Sequence, residues 1–271
     1  MVERFGLEPA GEGPFPLFRG EGAWLIVSGQ GKAAAAAATA YLHLTSGGAA
    51  GRVWLNAGLG GHSQRTLGEG VVADKISDAA SGASWYPQLV IDSPSPTVPV
   101  LTVERVEEEY SPPWVYESEA AGFFPTACRF SVAELVHCYK VISDNPDATL
   151  AHRRSSGAVE SLIGRRLDEV EAFARGLADL GRELEALAAD PPGYAAAGRR
   201  WPFTATQQRR LRRLLQRLAV LDPAGARALD ALEGLAGARD GREVLRCLES
   251  HLSAIPIRLP APGGLAADAL R

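Results

Sequence analysis

The pattern of the chain predicts an α/β fold followed by an α-helical extension, and three observations carry that expectation. The run Leu135-Val-His-Cys-Tyr-Lys-Val-Ile-Ser-Asp-Asn145 is apolar and β-branched, then stops in three small polar residues before Pro146. A buried strand ends this way at the rim of a sheet. The 29 glycines and 18 prolines crowd mostly before residue 125, so the first half reads as strands separated by turns. After Asn145 the pattern changes to charged, amphipathic helical periodicity.

The 271 residues are 46% hydrophobic and 22% charged, enough for one large domain or one domain with an appendage. A net charge of -4 makes no global case for a nucleic-acid or membrane partner. No stretch is long enough to span a bilayer, and Met1–Pro9 has no apolar signal core, so a cytoplasmic location is expected. Cys128, Cys138 and Cys247 lack metal-ligand spacing. Neither a metal nor a cofactor is expected, and Cys138 reads as a buried, inert thiol.

In chain order, Val2–Leu7 resembles the last turn of a helix with Gly6 as its terminator. Ala23–Ser28 is expected as a strand, Gly29-Gln-Gly31 as a tight turn, and the alanine run from Ala33 as a helix. Glycines before a helix start can cradle an anion, but close packing of an alanine-rich helix on a sheet explains them equally. Val53–Asn56 is a strand entering a glycine loop, Ala57-Gly-Leu-Gly-Gly-His62. Further strands are expected at 71–78, 88–91, 98–103 and 114–117, with Trp85 and Tyr86 in a loop. Glu119–Phe130 is a helix whose apolar side chains fall mainly on one side, with Glu119 placed to favour its dipole.

The strand ending at Ser143-Asp144 delivers these side chains to a sheet rim, where α/β folds bind ligands. A carboxylate partly desolvated at such a rim can have its pKa raised towards neutrality and serve as a general acid. The alternative is that Asp144 caps the following helix, since Asp-Asn-Pro-Asp is also turn chemistry. Beyond it, Ser156–Ala189 reads as one long helix buried along Val159, Ile163, Leu167, Val170, Phe173, Leu177 and Leu180. Thr204 and Gln207 have capping-box spacing before a helix with an arginine face. Two more helices are expected over 223–238 and 240–253. The domain expectation is 1–190 for the α/β part, 191–255 for the helical extension and 256–271 for a mobile tail.

Four stretches together resemble the nucleoside phosphorylase / nucleosidase superfamily, closest to the methylthioadenosine and adenosylhomocysteine nucleosidases. They are Val27-Ser-Gly-Gln-Gly-Lys-Ala-Ala34, Leu55-Asn-Ala-Gly-Leu-Gly-Gly61, Tyr116-Glu-Ser-Glu-Ala-Ala121 and Val141-Ile-Ser-Asp144. They follow the family's order over about residues 20–180. The resemblance implies a three-layer α/β/α fold around a mixed twisted sheet. It implies that Asp144 protonates the purine N7, with Ser143 orienting it, and that Glu119 holds the ribose hydroxyls. The backbone of Leu59, Gly60 and Gly61 would line the base and the path of the nucleophile.

Three departures accompany the resemblance. The family opens with a strand bearing a glutamate that activates water, and Glu3, Glu8 and Glu12 stand in the wrong context to match it. A missing first strand would expose a neighbouring strand's edge. Ser118 stands where the family has methionine, which bears on sugar recognition. The stretch from Ile91 to Trp114 is shortened, leaving Trp85 or Tyr86 as candidates for an aromatic contact to the base.

The expectation is therefore hydrolytic cleavage of a purine nucleoside's N-glycosidic bond, whose oxocarbenium-like transition state needs an acid at the base and anionic groups near the sugar. Alternatives are a phosphorylase, for which Arg65 is the nearest arginine to an anion site, or a non-catalytic nucleoside- or nucleic-acid-binding homologue. The partner expected is a purine nucleoside, with pairing into a homodimer implied by the resemblance. The arginines of 199–217 read as a solvated face before they read as a nucleic-acid contact.

Overall fold

The computed structural model describes residues 1–48, 51–105, 110–146, 156–222, 235 and 237–256. They divide into two compact units, Met1–Leu187 and Ala188–Arg271. The expected helix over 223–238 and the tail from 257 fall largely or wholly outside the described residues.

In the first unit the opening turn ends at Gly6, whose φ of 57° lets Leu7 N donate to Val2 O at 2.9 Å. β1 (Glu8–Pro9), β2 (Leu17–Arg19) and β3 (Trp24–Ile26) then form a small antiparallel sheet. The strand expected over Ala23–Ser28 is thus present but shorter, and it lies outside the main sheet. The cause is local: Gly20 N donates to Ala23 O at 2.9 Å, closing a Gly-Glu-Gly turn that pairs it with the preceding strand.

The main sheet has six strands in the order β6-β5-β7-β8-β4-β9. These are β4 (Trp54–Gly61), β5 (Gly70–Asp78), β6 (Ser84–Trp85), β7 (Thr97–Thr102), β8 (Val115–Glu117) and β9 (Val136–Asp144). Pairs β4/β9, β5/β7 and β7/β8 are parallel, and β5/β6 and β4/β8 antiparallel. β9 also pairs antiparallel with the start of β5, so the mixed sheet closes on itself. On its β8 side β4 is laddered only at Gly61.

Four expectations are corrected here. The glycines of 57–61 do not form a loop but continue β4, with a bulge between Gly60 and Gly61. Gln88–Ile91 is not a strand; β5 already pairs with β6, β7 and β9, and Leu89 and Ile91 serve as packing anchors. Trp85 lies in β6 rather than in a loop. The helix expected over 156–189 is broken into α3 (Ser156–Gly164) and α4 (Leu167–Ala188). At the break Arg166 donates to Gly68 O at 2.7 Å and pairs with Glu169, which accepts from Ser95 at 2.5 Å and Tyr139 at 2.7 Å. A continuous helix would carry Arg166 past this network.

Helices cover both faces. The alanine helix α1 (Lys32–Thr45) and α2 (Ala120–Ala127) cover one. Ala35, Phe123 and Phe124 pack there with Val71, Ala73 and Ile76 of β5 and Cys138 and Ile142 of β9. On the other face, Leu162, Val170, Phe173 and Leu177 pack on Val72, Tyr139 and Val141. The period-two pleat divides each strand between the two layers. A fully buried leucine or phenylalanine contributes about 1.5–3 kcal/mol, so these two seams hold the unit together.

α1 and α2 approach closely because the residue at the crossing is Gly122, where a Cβ would overlap Lys32 O. That contact sets the amino ends of both helices side by side. Pro125 sits inside α2, and the helix ends two residues later.

In the second unit, α5 (Tyr194–Arg200) precedes α6 (Ala205–Leu221) and α7 (Gly241–Ala254). α5 was not expected, because Ala195 to Ala197 lack an amphipathic pattern. Thr204 and Gln207 form the expected capping box. Leu211, Leu215 and Leu218 pack against Val244, Leu245, Leu248 and Leu252. Gly241 lies against Phe203, and Arg210 pairs with Glu249 at 2.6 Å, so α6 and α7 run in the same direction.

Gly122→Ala is expected to cost about 1–3 kcal/mol by forcing α1 off α2. Urea denaturation of the variant against the parent chain checks this.

Candidate active site

The ends of β5, β7 and β8 and the starts of α1 and α2 meet in a cluster of charged groups. Glu117, at the end of β8, is only 6% exposed. Its Oε2 accepts from the backbone N–H groups of Glu119 at 2.9 Å and Ala120 at 2.8 Å, and its Oε1 from Thr102 at 2.5 Å. Glu117, not Glu119, therefore serves as the anion at the start of α2.

Lys140, in the middle of β9, is fully buried, with Nζ 2.7 Å from Glu117 Oε2 and 3.8 Å from Glu119 Oε2. The nearer contact is an ion pair by distance but lacks the alignment of a hydrogen bond. Burial pushes the Glu117 carboxyl up, but the Lys140 ammonium and the converging donors outweigh it and hold it below the usual range. Burial likewise pushes Lys140 down, and Glu117 followed by Glu119 reverses the direction. Both groups stay charged at neutral pH.

Glu119 is the N-cap residue of α2, with its side chain 18% exposed. Its Oε1 accepts from Ser118 Oγ at 2.5 Å and from Gly31 N at 3.1 Å. Gly31 is the N-cap of α1, with a φ of 99° that suits glycine. The anion received by the glycine turn is thus Glu119's own carboxylate. Beside it Lys32 lies 3.1 Å from both Asp78 and Glu104. Hydrogen bonding to these carboxylates raises the Lys32 pKa.

A second group of residues lies where β4 and β9 end. Ser143 donates to Asp144 Oδ2 at 2.5 Å, with Gly60 O a second acceptor at 3.3 Å. Asp144 O accepts from His62 N at 2.9 Å. The pleat sets Cys138, Lys140, Ile142 and Asp144 at alternate positions along β9. Cys138 and Ile142 belong to the core beneath α1 and α2, which sets Lys140 on that face, and the register shift between Ile142 and Asp144 interrupts the alternation before the strand ends.

Gly60 and Gly61 link the two groups. Gly61 pairs with Tyr116 of β8 on one side and with Asp144 of β9 on the other. A Cβ on Gly60 would lie 2.5 Å from Val115 Cγ1 and 3.8 Å from Glu117 Cβ, so only glycine allows β8 to come so near. Leu59 of the same strand is partly buried in the opposite core.

The ring of Tyr110 occupies the space a Cβ on Gly61 would need, and it packs 5.4 Å from the Tyr116 ring between centroids. The aromatic group at the glycine edge is therefore Tyr110. Trp85 instead packs beside the core beneath α1 and α2, and Tyr86 is 60% exposed. His62 Nε2 donates to Pro113 O at 3.3 Å while Nδ1 accepts from the N–H groups of Gln64 and Arg65. Burial lowers the His62 pKa, consistent with that neutral tautomer. Arg65 pairs with Glu69. Glu3, Glu8 and Glu12 are exposed.

Sequence reasoning missed Glu117, Lys140, Thr102, Lys32, Asp78 and Tyr110. Lys140 had a signal: a lysine inside an otherwise apolar strand requires a buried carboxylate, and Glu117 was the acid inside the neighbouring short strand. Tyr110 had none, since its position follows from the path of the segment before β8. Among the described residues no group of three or more His, Cys, Asp or Glu side chains could hold a metal ion, and no helix is long and apolar enough to cross a membrane.

Glu117→Gln is expected to cost about 3–5 kcal/mol at pH 7, because it leaves Lys140 a buried charge without its counter-ion. Since the folded Glu117 pKa is depressed, its contribution is present above the ordinary value of about 4.3 and is lost as pH falls through the lower folded value. The variant should therefore show a smaller loss of stability between pH 7 and pH 3 than the parent. Hydrogen exchange of the β9 amides measures both effects.

No protein-family model matches the chain, and no curated protein matches it. Solved structures similar to it include MTAN from Helicobacter pylori, at 12% identity and a TM-score of 0.48, covering 66% of this chain and 92% of that one. A 5′-methylthioadenosine/S-adenosylhomocysteine nucleosidase from Colwellia psychrerythraea 34H, solved in complex with adenine, is 15% identical. It has a TM-score of 0.44 and covers 60% of this chain and 86% of that one. A futalosine hydrolase mutant from Helicobacter pylori strain 26695 is 16% identical, with a TM-score of 0.44, covering 62% of this chain and 92% of that one.

Proposed function

We propose that the protein hydrolyses the N-glycosidic bond of a purine nucleoside. The observation that carries this is the position of Gly60 and Gly61 between the Glu117–Glu119 segment and the Ser143–Asp144 segment. One strand end thus links an oriented carboxylate to a second, hydroxyl-supported one across a glycine edge against which Val115 and the Tyr110 ring pack closely.

In this reading Asp144 donates its proton to N7 of the base as the C1′–N9 bond breaks, and the base departs neutral. Ser143, hydrogen-bonded to Asp144, holds the carboxyl in place. Glu119 accepts from the ribose hydroxyls beside Ser118, and its negative charge favours the oxocarbenium-like sugar. The backbone of Leu59, Gly60 and Gly61 lines the base, with Tyr110 beside Gly61 as the aromatic wall. Water adds to C1′ and releases its second proton to solvent.

Water rather than phosphate is favoured by the charges. Lys32, Lys140 and Arg65 are each paired with carboxylates, and the glycine turn at Gly31 already receives Glu119. A phosphate dianion would have to displace one of these pairs.

Chromatographic assay of free base from a panel of adenine nucleosides tests the proposal. Release is expected without phosphate and at an unchanged rate when phosphate is added. Asp144→Asn should lower kcat roughly a hundred-fold or more. Phosphate-dependent turnover, or no base released from any nucleoside, would reject the hydrolytic assignment.

A further inference from the structure

Among the described residues of the second unit, part of the positive charge on α6 has no ion-pair partner. On α6, Arg209, Arg213 and Arg217 recur every fourth residue, all exposed, and none has an ion-pair partner among the described residues. Like charges at this spacing work against a helix. Arg212, by contrast, pairs with Asp190 at 2.5 Å and lies over the Tyr194 ring.

The flank of α6 beyond this stripe leads into a groove shared with α7. The groove holds about 330 Å³ and is lined by Gln207, Arg210, Arg242, Leu245, Arg246 and Glu249. Its one carboxylate, Glu249, pairs with Arg210 at 2.6 Å, while Arg246 lies 3.8 Å from Glu243. Asp240, the N-cap of α7, is the other acid near Arg242 and Arg246.

We infer that this arginine face and groove dock the phosphate backbone of a single-stranded nucleic acid. Guanidinium groups bind phosphate oxygens bidentately. A four-residue helical step of about 6 Å suits successive phosphates of an extended strand. Recognition would be of backbone and not of bases, because the nearby aromatics are committed: Trp201 is buried with Nε1 donating to Ala238 O, and Phe203 packs on Gly241. An anionic bilayer fits less well, since Val220 is the one large exposed hydrophobic residue on α6 and sits at its carboxyl end.

Fluorescence anisotropy of the full-length chain with a labelled thirty-residue oligothymidylate tests this, beside polyglutamate and phosphatidylglycerol vesicles. The strand should bind at low salt, with log K falling by about 0.7 per phosphate contact per decade of salt. Replacing Arg209, Arg213 and Arg217 together by Ala should weaken binding roughly tenfold or more and flatten that slope by about 2. Arg213→Glu alone should weaken it in the same direction, and Arg182→Glu in the first unit should not. Circular dichroism confirms that each variant keeps its helices. Binding that survives both α6 changes, that falls equally with Arg182→Glu, or that is no tighter for the strand than for polyglutamate or vesicles would overturn the inference.

Discussion

Lys140 and Glu117 form an ion pair in the interior of the first unit, and the arrangement of the charged groups at the ends of β7 and β8 depends on how that pair is tolerated. Taking two such charges out of water costs several kcal/mol each. The cost is met only because Glu117 also gathers Thr102 from β7 and two N–H groups from the start of α2. The pair therefore ties β7, β8, β9 and α2 together at one point. Glu119, two residues further on, inherits its position from that point and is held from the other side by Gly31 at the start of α1. An exposed carboxylate would swing between rotamers; this one is clamped between a helix amino end and a serine hydroxyl.

On the opposite face a second polar network plays a comparable structural part. Glu169 gathers Ser95, Tyr139 and Arg166, and Arg166 in turn reaches Gly68. Burial pushes the Glu169 carboxyl up, but these three donors outweigh it and hold it low. The network anchors α4 to the sheet and fastens the turn that joins β4 to β5. Gly70 belongs to the same design, since a Cβ there would overlap the Tyr139 hydroxyl. Two apolar seams supply most of the cohesion, and two polar knots fix the register of what they hold.

Much of this was legible in the chain because it rests on local pattern. The buried strand ending in Ser143-Asp144, the alanine helix after Gly31 and the capping box of Thr204 and Gln207 all follow from periodicity and turn chemistry. What remained illegible depends on distant partners. The Gly-Glu-Gly turn before residue 23 is a local hairpin signal, but the length of the strand that follows and its separation from the main sheet are not written there. Nothing between Ser156 and Ala189 interrupts the helical pattern at Arg165-Arg166; the break follows from Gly68, Ser95 and Tyr139, all far away in sequence. Of the candidate site the chain pointed to two carboxylates, Glu119 and Asp144, and to Ser143 beside the second, but not to the groups that hold Glu119. Glu117 and Lys140 become meaningful only once β8 and β9 face each other.

The contact between Gly122 and Lys32 has a mechanical consequence. With no side chain between them, the amino ends of α1 and α2 behave as a welded joint, and the Gly31–Glu119 link spans that joint. Neither helix can tilt without carrying the other. On the other side of the glycine edge the Tyr110 ring lies against Gly61, and His62 ties the same segment through Pro113 O at 3.3 Å.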